Sequence, residues 1–287
     1  MSTNKIAVIG GGTMGSGIAL TAATNGMNAV IVDISDDQLN RAKSYHEKQC
    51  ARAVLKERMT QTESDSATVR ISYVSSMSDS SDAQWAVEAV TENIEIKKKI
   101  FIQMEETFGD TVVLATNTSS ISITDLASAV SSAEERVIGM HFFNPVPIMK
   151  LVEVIQGKQT SKETTAATNA LSEAMGKTHV LANDFAGFVS NRVLMPMINE
   201  AFHAWADGVA EPEAIDSIMK LGCAFPMGPL RLADYIGLDV CRDIIMVMYE
   251  GLDQNSKYLP SEKIVALVDA GHLGDKTGQG VYKHEKG

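Results

Sequence analysis

The stretch KIAVIGGGTMGSG, residues 5 to 17, decides the fold. Its first half is a short aliphatic run of the kind that forms a buried strand, and its second half is a glycine turn that opens a helix. Gly10, Gly12 and Gly15 stand at the spacing G-x-G-x-x-G. In that pattern the first glycine permits a tight turn, the second lets the backbone approach a pyrophosphate, and the third lets helix and strand lie close. Thr13 and Met14 fall at the helix start, where unpaired N–H groups and the helix dipole favour a bound anion. A second apolar run, MNAVIVD at 27 to 33, completes a βαβ unit. Asp33 ends that run about 20 residues past the glycines, where a carboxylate can accept from ribose hydroxyls. Strand-end aspartates also serve as turn or helix-cap residues, and spacing leaves both readings open. Ile34 and Ser35 follow it, not arginine, so a 2′-phosphate would be repelled and NAD is favoured over NADP.

Outward from this unit, strands are expected at 69 to 74, 85 to 90, 111 to 117 and 136 to 142, and helices at 36 to 59, 94 to 108 and 122 to 132. Most of the strands are continuous apolar runs, as in parallel strands covered on both faces. The alternation predicts an α/β fold, a Rossmann-type doubly wound sheet. Two polar stretches, TQTESDSAT at 60 to 68 and SSMSDSSD at 75 to 82, read as surface loops or helix ends. After about residue 185 the periodicity turns helical and successive segments end near glycine. The expected division is a dinucleotide-binding domain at 1–185 followed by an all-helical C-terminal domain at 186–287. On its helices Met195, Met197, Met246 and Met248 read as core filler before interface.

Composition narrows the function. A formal charge of −11 opposes binding to nucleic acid or anionic lipid, which need a basic face. No apolar stretch reaches the ~18 residues of a membrane span, and no basic leader precedes a hydrophobic run, so a cytoplasmic protein is expected. The 3 cysteines, Cys50, Cys223 and Cys241, have no CxxC spacing, and the histidines show no metal-ligand pairing, so neither a disulfide framework nor a metal site is expected.

A candidate for chemistry lies in GMHFFNPVPIMKLVEVI, 139 to 155. His141 ends one apolar run, two prolines turn the chain, and KLVEVI reads as another strand. Packed side by side, the two strands would bring Glu153 to His141. The carboxylate would then fix the imidazole tautomer and leave the other ring nitrogen as a base for a hydroxyl proton.

That stretch, with VIGGGTMGSGIA, VEAVTENIEIKKKIF, TNTSSISIT, GFVSNRVLMPMINEA, SIMKLG, PMGPLRLADYIGLD and KTGQGVY, resembles the L-3-hydroxyacyl-CoA dehydrogenase family, above all its bacterial 3-hydroxybutyryl-CoA members, through nearly the whole chain. The resemblance implies oxidation of a 3-hydroxyacyl-CoA with NAD, with His141 as base and Glu153 as its orienting partner. It implies that Ser119 and Asn191 hold the substrate oxygen, and that Glu92, Lys97, Asn117, Asn144 and Lys276 lie near the nicotinamide half of the cofactor. It also implies a substrate-binding and dimerising role for the helical domain, an acyl-CoA partner and a homodimer. By residue type alone, Ser119 reads as a helix cap, Asn191 as a helix-surface residue, and Glu92 and Lys97 as charges at a helix start. In HEKQCARAVLKERM, 46 to 59, Lys56 is the candidate contact for a CoA phosphate, and the serine-rich stretch after it departs from the more basic family pattern. Two other readings keep the fold: a dehydrogenase of a small hydroxy acid without CoA, and a dinucleotide-binding protein with no activity.

Overall fold

The computed structural model describes residues 5–284. The chain divides into two compact units, Met1–Asp184 and Phe185–Gly287.

The first unit opens with β1 (Lys5–Ile9), α1 (Thr13–Thr24) and β2 (Asn28–Val32). Four of the five residues of β1 are buried, and α1 buries small residues, Gly15, Gly17, Ala19, Ala22 and Ala23. Next come α2 (Asp36–Leu55), α3 (Gln61–Val69), β3 (Ile71–Val74), β4 (Trp85–Glu88), α4 (Ile94–Thr107), β5 (Val113–Thr116) and α5 (Ile123–Ala127). The unit ends with β6 (Val137–Phe142), β7 (Leu151–Gln156), α6 (Lys162–Ala174) and β8 (Thr178–Asn183). Side-chain caps start several of these helices: Ser35 accepts from Gln38 N–H, Asn93 from Ile96 N–H and Ser161 from Thr164 N–H.

The eight strands form one sheet in the order β3-β2-β1-β4-β5-β6-β7-β8. Every pairing is parallel except β6 with β7. The doubly wound sheet expected from the alternation is therefore present, and strand order reverses between β1 and β4, where a crevice opens at the carboxyl ends.

Four details depart from the sequence reading. TQTESDSAT, expected as a surface loop or helix end, is a helix of its own: Thr60 and Glu63 form a reciprocal capping box and start α3. That helix takes Val69, so β3 begins at Ile71. The helix expected at 122 to 132 is a five-residue turn of helix, α5. The pattern of the sequence predicts no element between 156 and 185, where α6 and β8 lie.

The second unit is helical: α7 (Ser190–Ala206), α8 (Pro212–Gly222), α9 (Pro229–Ile236), α10 (Leu238–Gly251) and α11 (Glu262–Asp269). Ile198, Phe202, Leu230, Leu238, Ile245 and Ile264 form its core with Met195 and Met248, while Met197 packs at the edge of it. Two buried carboxylates organise its end. Asp216 accepts from the N–H groups of Leu230 and Arg231 at the start of α9 and from Tyr282 Oη. Asp234 accepts from the N–H groups of Val281 and Tyr282 and pairs with His284. A Cβ on Gly280 would fall 2.1 Å from Asp234 Oδ1, which accounts for the second glycine of KTGQGVY. Among the described residues no helix is long and apolar enough to cross a membrane.

Candidate active site

The glycine turn is built as its spacing predicts. Gly10 has φ +110°, in the region open to glycine, and a Cβ there would lie 2.7 Å from Ala89 O. At Gly15 a Cβ would lie 1.9 Å from Gly10 O, so only glycine lets α1 lie this close to β1. Gly12 differs. Its backbone is extended, φ −65° and ψ −174°, and a Cβ would meet nothing within 4 Å. Nothing among the described residues requires glycine there, which leaves the backbone open to close approach from the cleft. No side chain caps the first turn of α1 and no carboxylate sits in it, unlike the capped helices α2, α4 and α6. That N-terminus is open to an anion.

A cleft of about 670 Å³ lies at the switch point, lined by Gly10, Gly12, Thr13, Met14, Asp33 and Val90 among others. Asp33 accepts from Gly11 N–H at 2.8 Å through one oxygen and from Ser35 N–H at 2.9 Å through the other. Each oxygen keeps a second lone pair. Asp33 is thus both turn residue and a cleft-facing carboxylate. Beside it Ile34 is 95% exposed, so the side chain that follows Asp33 at the cleft is apolar and not a cation for a 2′-phosphate. Gln38, unremarked in the sequence, donates to Gly11 O, which Ser16 Oγ also holds. The residues present therefore fit NAD.

His141 and Glu153 meet. They are direct partners in the antiparallel β6·β7 ladder, and His141 Nδ1 lies 2.7 Å from Glu153 Oε2. They are 8% and 3% exposed. Opposed residues in such a ladder carry side chains on the same face, so the pairing follows from register once the turn at Asn144-Pro145-Val146-Pro147 is made. A carboxylate only accepts, so Nδ1 carries the proton and Nε2 is the basic nitrogen. Phe143 packs on the imidazole at 4.6 Å between ring centroids. Lys177 Nζ donates to the carbonyls of Val146 and Met149 and ties down the turn between the two strands.

The carboxyl ends of β4, β5 and β6 gather most of the remaining candidates. Asn117 Oδ1 accepts from Phe142 N–H at 2.9 Å, next to His141. Glu92 Oε1 accepts from Thr118 Oγ1, Ser119 N–H and Ser120 Oγ. Burial pushes the Glu92 carboxyl up, but Lys97 and these donors outweigh it and hold it below its ordinary value. Lys97 Nζ contacts both oxygens of Glu88, at 2.7 and 2.9 Å, and reaches Glu92 at 3.4 Å. Glu88 went unnoticed in the sequence, although a lone acid ending the apolar strand WAVE is a usable signal. Asn144 opens the turn after β6 with a cis bond to Pro145.

Lys56 lies at the end of α2 and shares a pocket of about 470 Å³ with Arg52, Arg58, Leu20, Pro147 and Ile148. Two candidates belong to the second unit. Asn191 is buried in the first turn of α7, and Lys276 pairs with both oxygens of Asp239, an engagement the sequence did not suggest. Among the described residues no group of three His, Cys, Asp or Glu side chains is placed to hold a metal ion.

A dinucleotide cleft and a carboxylate-bound histidine at the carboxyl ends of one sheet are the parts of a nicotinamide-dependent dehydrogenase. Comparison with known proteins makes this specific. The 3-hydroxyacyl-CoA dehydrogenase NAD binding domain matches residues 5–185, and the C-terminal domain of the same family matches residues 187–284. A probable 3-hydroxybutyryl-CoA dehydrogenase of Bacillus subtilis is 48% identical over 286 residues, covering 100% of this chain and 99% of that protein. The mitochondrial hydroxyacyl-coenzyme A dehydrogenase of Sus scrofa is 39% identical, covering 98% of this chain and 91% of that one. The crystal structure of (S)-3-hydroxybutyryl-CoA dehydrogenase from Ralstonia eutropha superposes with TM-score 0.96 at 46% identity, covering 99% of this chain and 100% of that one. The chain belongs to the 3-hydroxyacyl-CoA dehydrogenase family and is an NAD-dependent enzyme.

Proposed function

We propose that the enzyme interconverts (S)-3-hydroxybutyryl-CoA and acetoacetyl-CoA, with His141 as general base oriented by Glu153. The observation that carries this reading is the buried 2.7 Å contact between His141 Nδ1 and Glu153 Oε2. The names of the similar bacterial proteins support the short-chain substrate. NAD, when bound, would supply the acceptor for the hydride that leaves C3 of the alcohol. His141 Nε2 takes the hydroxyl proton as the carbonyl forms, and Glu153 stabilises the resulting imidazolium. Base catalysis of this kind contributes on the order of 10²–10⁴-fold.

Ser119 and Asn191 hold the substrate oxygen in this proposal. Asp33 accepts from the adenosine ribose, and the first turn of α1 with Thr13 and Met14 takes the pyrophosphate. Glu92, Lys97, Asn117, Asn144 and Lys276 serve the nicotinamide half. Lys56, with Arg52 and Arg58 beside it, takes a CoA phosphate; the clustering of three cations around one pocket supports this. Residues 1–185 act as the cofactor domain and 186–287 as the substrate and dimerisation domain.

The test follows NADH absorbance with acetoacetyl-CoA and, separately, with free acetoacetate. Oxidation of NADH with the thioester alone is expected. Turnover of the free acid at an equal rate would make this a hydroxy-acid dehydrogenase, and no turnover of either would leave a dinucleotide binder.

A further inference from the structure

Glu88 closes β4 opposite Thr116 of β5, and its carboxylate is wholly buried. It is also saturated. Oε1 accepts from Val90 N–H at 2.6 Å and Lys97 Nζ at 2.7 Å; Oε2 accepts from Lys97 Nζ at 2.9 Å and Thr116 Oγ1 at 2.6 Å. The ammonium it holds is 1% exposed. A buried pair of this kind is a weak source of stability, since desolvation of both ions offsets most of their attraction. Its effect lies in fixing where the cation sits. Among the described residues that cation has one other carboxylate within reach, Glu92 at 3.4 Å. Glu92 in turn gathers Thr118 Oγ1, Ser119 N–H and Oγ, and Ser120 Oγ on a single oxygen. Thr116 Oγ1, while donating to Glu88, also accepts from Thr118 N–H, which ties the same loop to Glu88 by a second route.

We infer that Glu88 is a positioning residue of the dehydrogenase site: it fixes Lys97, Lys97 fixes Glu92, and Glu92 sets the place of Ser119. The inference rests on the reading of Ser119 as a substrate contact. With Glu88 neutral, the buried ammonium has, among the described residues, only Glu92 left as counter-ion and is drawn to it, in competition with the four donors on Oε1.

The experiment measures kcat and KM for acetoacetyl-CoA, together with melting temperature, on the full chain and on Glu88→Gln, Lys97→Met, their double variant and Ser119→Ala. Glu88→Gln is expected to lower kcat/KM about tenfold in the otherwise native chain, but less than about twofold once Lys97 is absent, because coupled residues are not additive. Equal losses in both backgrounds overturn the inference. So does a lowered melting temperature with unchanged kcat/KM, the outcome of a merely structural role. If Glu88→Gln does not fold, Thr116→Val removes one donor from the carboxylate and is expected to cost about threefold, again only with Lys97 present; its lack of effect would count equally against the inference. A normal Ser119→Ala enzyme would instead remove the reading of Ser119, whereas a defective one beside a normal Glu88→Gln enzyme removes only the role of Glu88.

Discussion

Gly12 and Gly15 belong to one motif and are glycines for different reasons. A side chain at Gly15 collides with Gly10 O inside the chain, while at Gly12 it meets nothing. Gly15→Ala should therefore lower the melting temperature and the yield of soluble protein. Gly12→Ala should melt like the native enzyme and yet bind NADH at least about tenfold more weakly, because the added methyl occupies the approach of the pyrophosphate. Melting curves with and without NADH separate the two, and equal behaviour of both variants would contradict the division of roles. The tight turn at Gly10 and the close helix packing at Gly15 were legible, since each answers a steric demand inside the chain that the spacing encodes. Asp33 was legible only as two alternatives, and it fills the turn role while facing the cleft. Glu88 was missed because a buried ion pair carries no periodic signature; its partner Lys97 is nine positions away, across a loop.

At the scale of elements, α1 and α2 are joined through a histidine. His46 of α2 is fully buried, with Nε2 at 2.9 Å from Ser16 O in α1 and Nδ1 at 2.7 Å from Tyr73 Oη in β3. The carbonyl can only accept, so Nε2 carries the proton and Nδ1 accepts from the tyrosine, which keeps the ring neutral. Burial holds its pKa below the ordinary 6.5, outweighing the opposite pull of the Ser16 carbonyl and of Glu47. With the folded value below the unfolded one, the unfolded chain binds the extra proton. The stabilisation is full above the unfolded pKa and is lost as pH falls through the folded value. His46→Gln should therefore show a flatter decline of melting temperature between about pH 7 and pH 5 than the native chain. Parallel slopes would show that His46 is not the titrating tie. Elements with strong periodicity, β1, β2, β6 and the helices of the second unit, were readable in advance. TQTESDSAT was not, because its helix rests on a capping box and few apolar residues.

At the scale of the whole molecule, the helical unit leaves Ile218 and Leu221 of α8 largely exposed, Leu221 by 87%. Large exposed aliphatics on one helix support the proposed pairing of two copies. Sedimentation of Leu221→Glu is expected to give a monomer where the native chain gives a dimer; a native monomer would end that proposal. The division into two units was legible as a change of period near residue 185, whereas the run from 156 to 185 carries its helix and edge strand in largely polar sequence and went unassigned. The central claim is that His141, oriented by Glu153, moves the hydroxyl proton. Single-turnover rates and NADH dissociation constants for His141→Gln and Glu153→Gln test it most directly. The rate is expected to fall by about 10²–10⁴-fold for the first and by less for the second, with NADH affinity unchanged. A His141→Gln enzyme that turns over at the native rate would contradict the account.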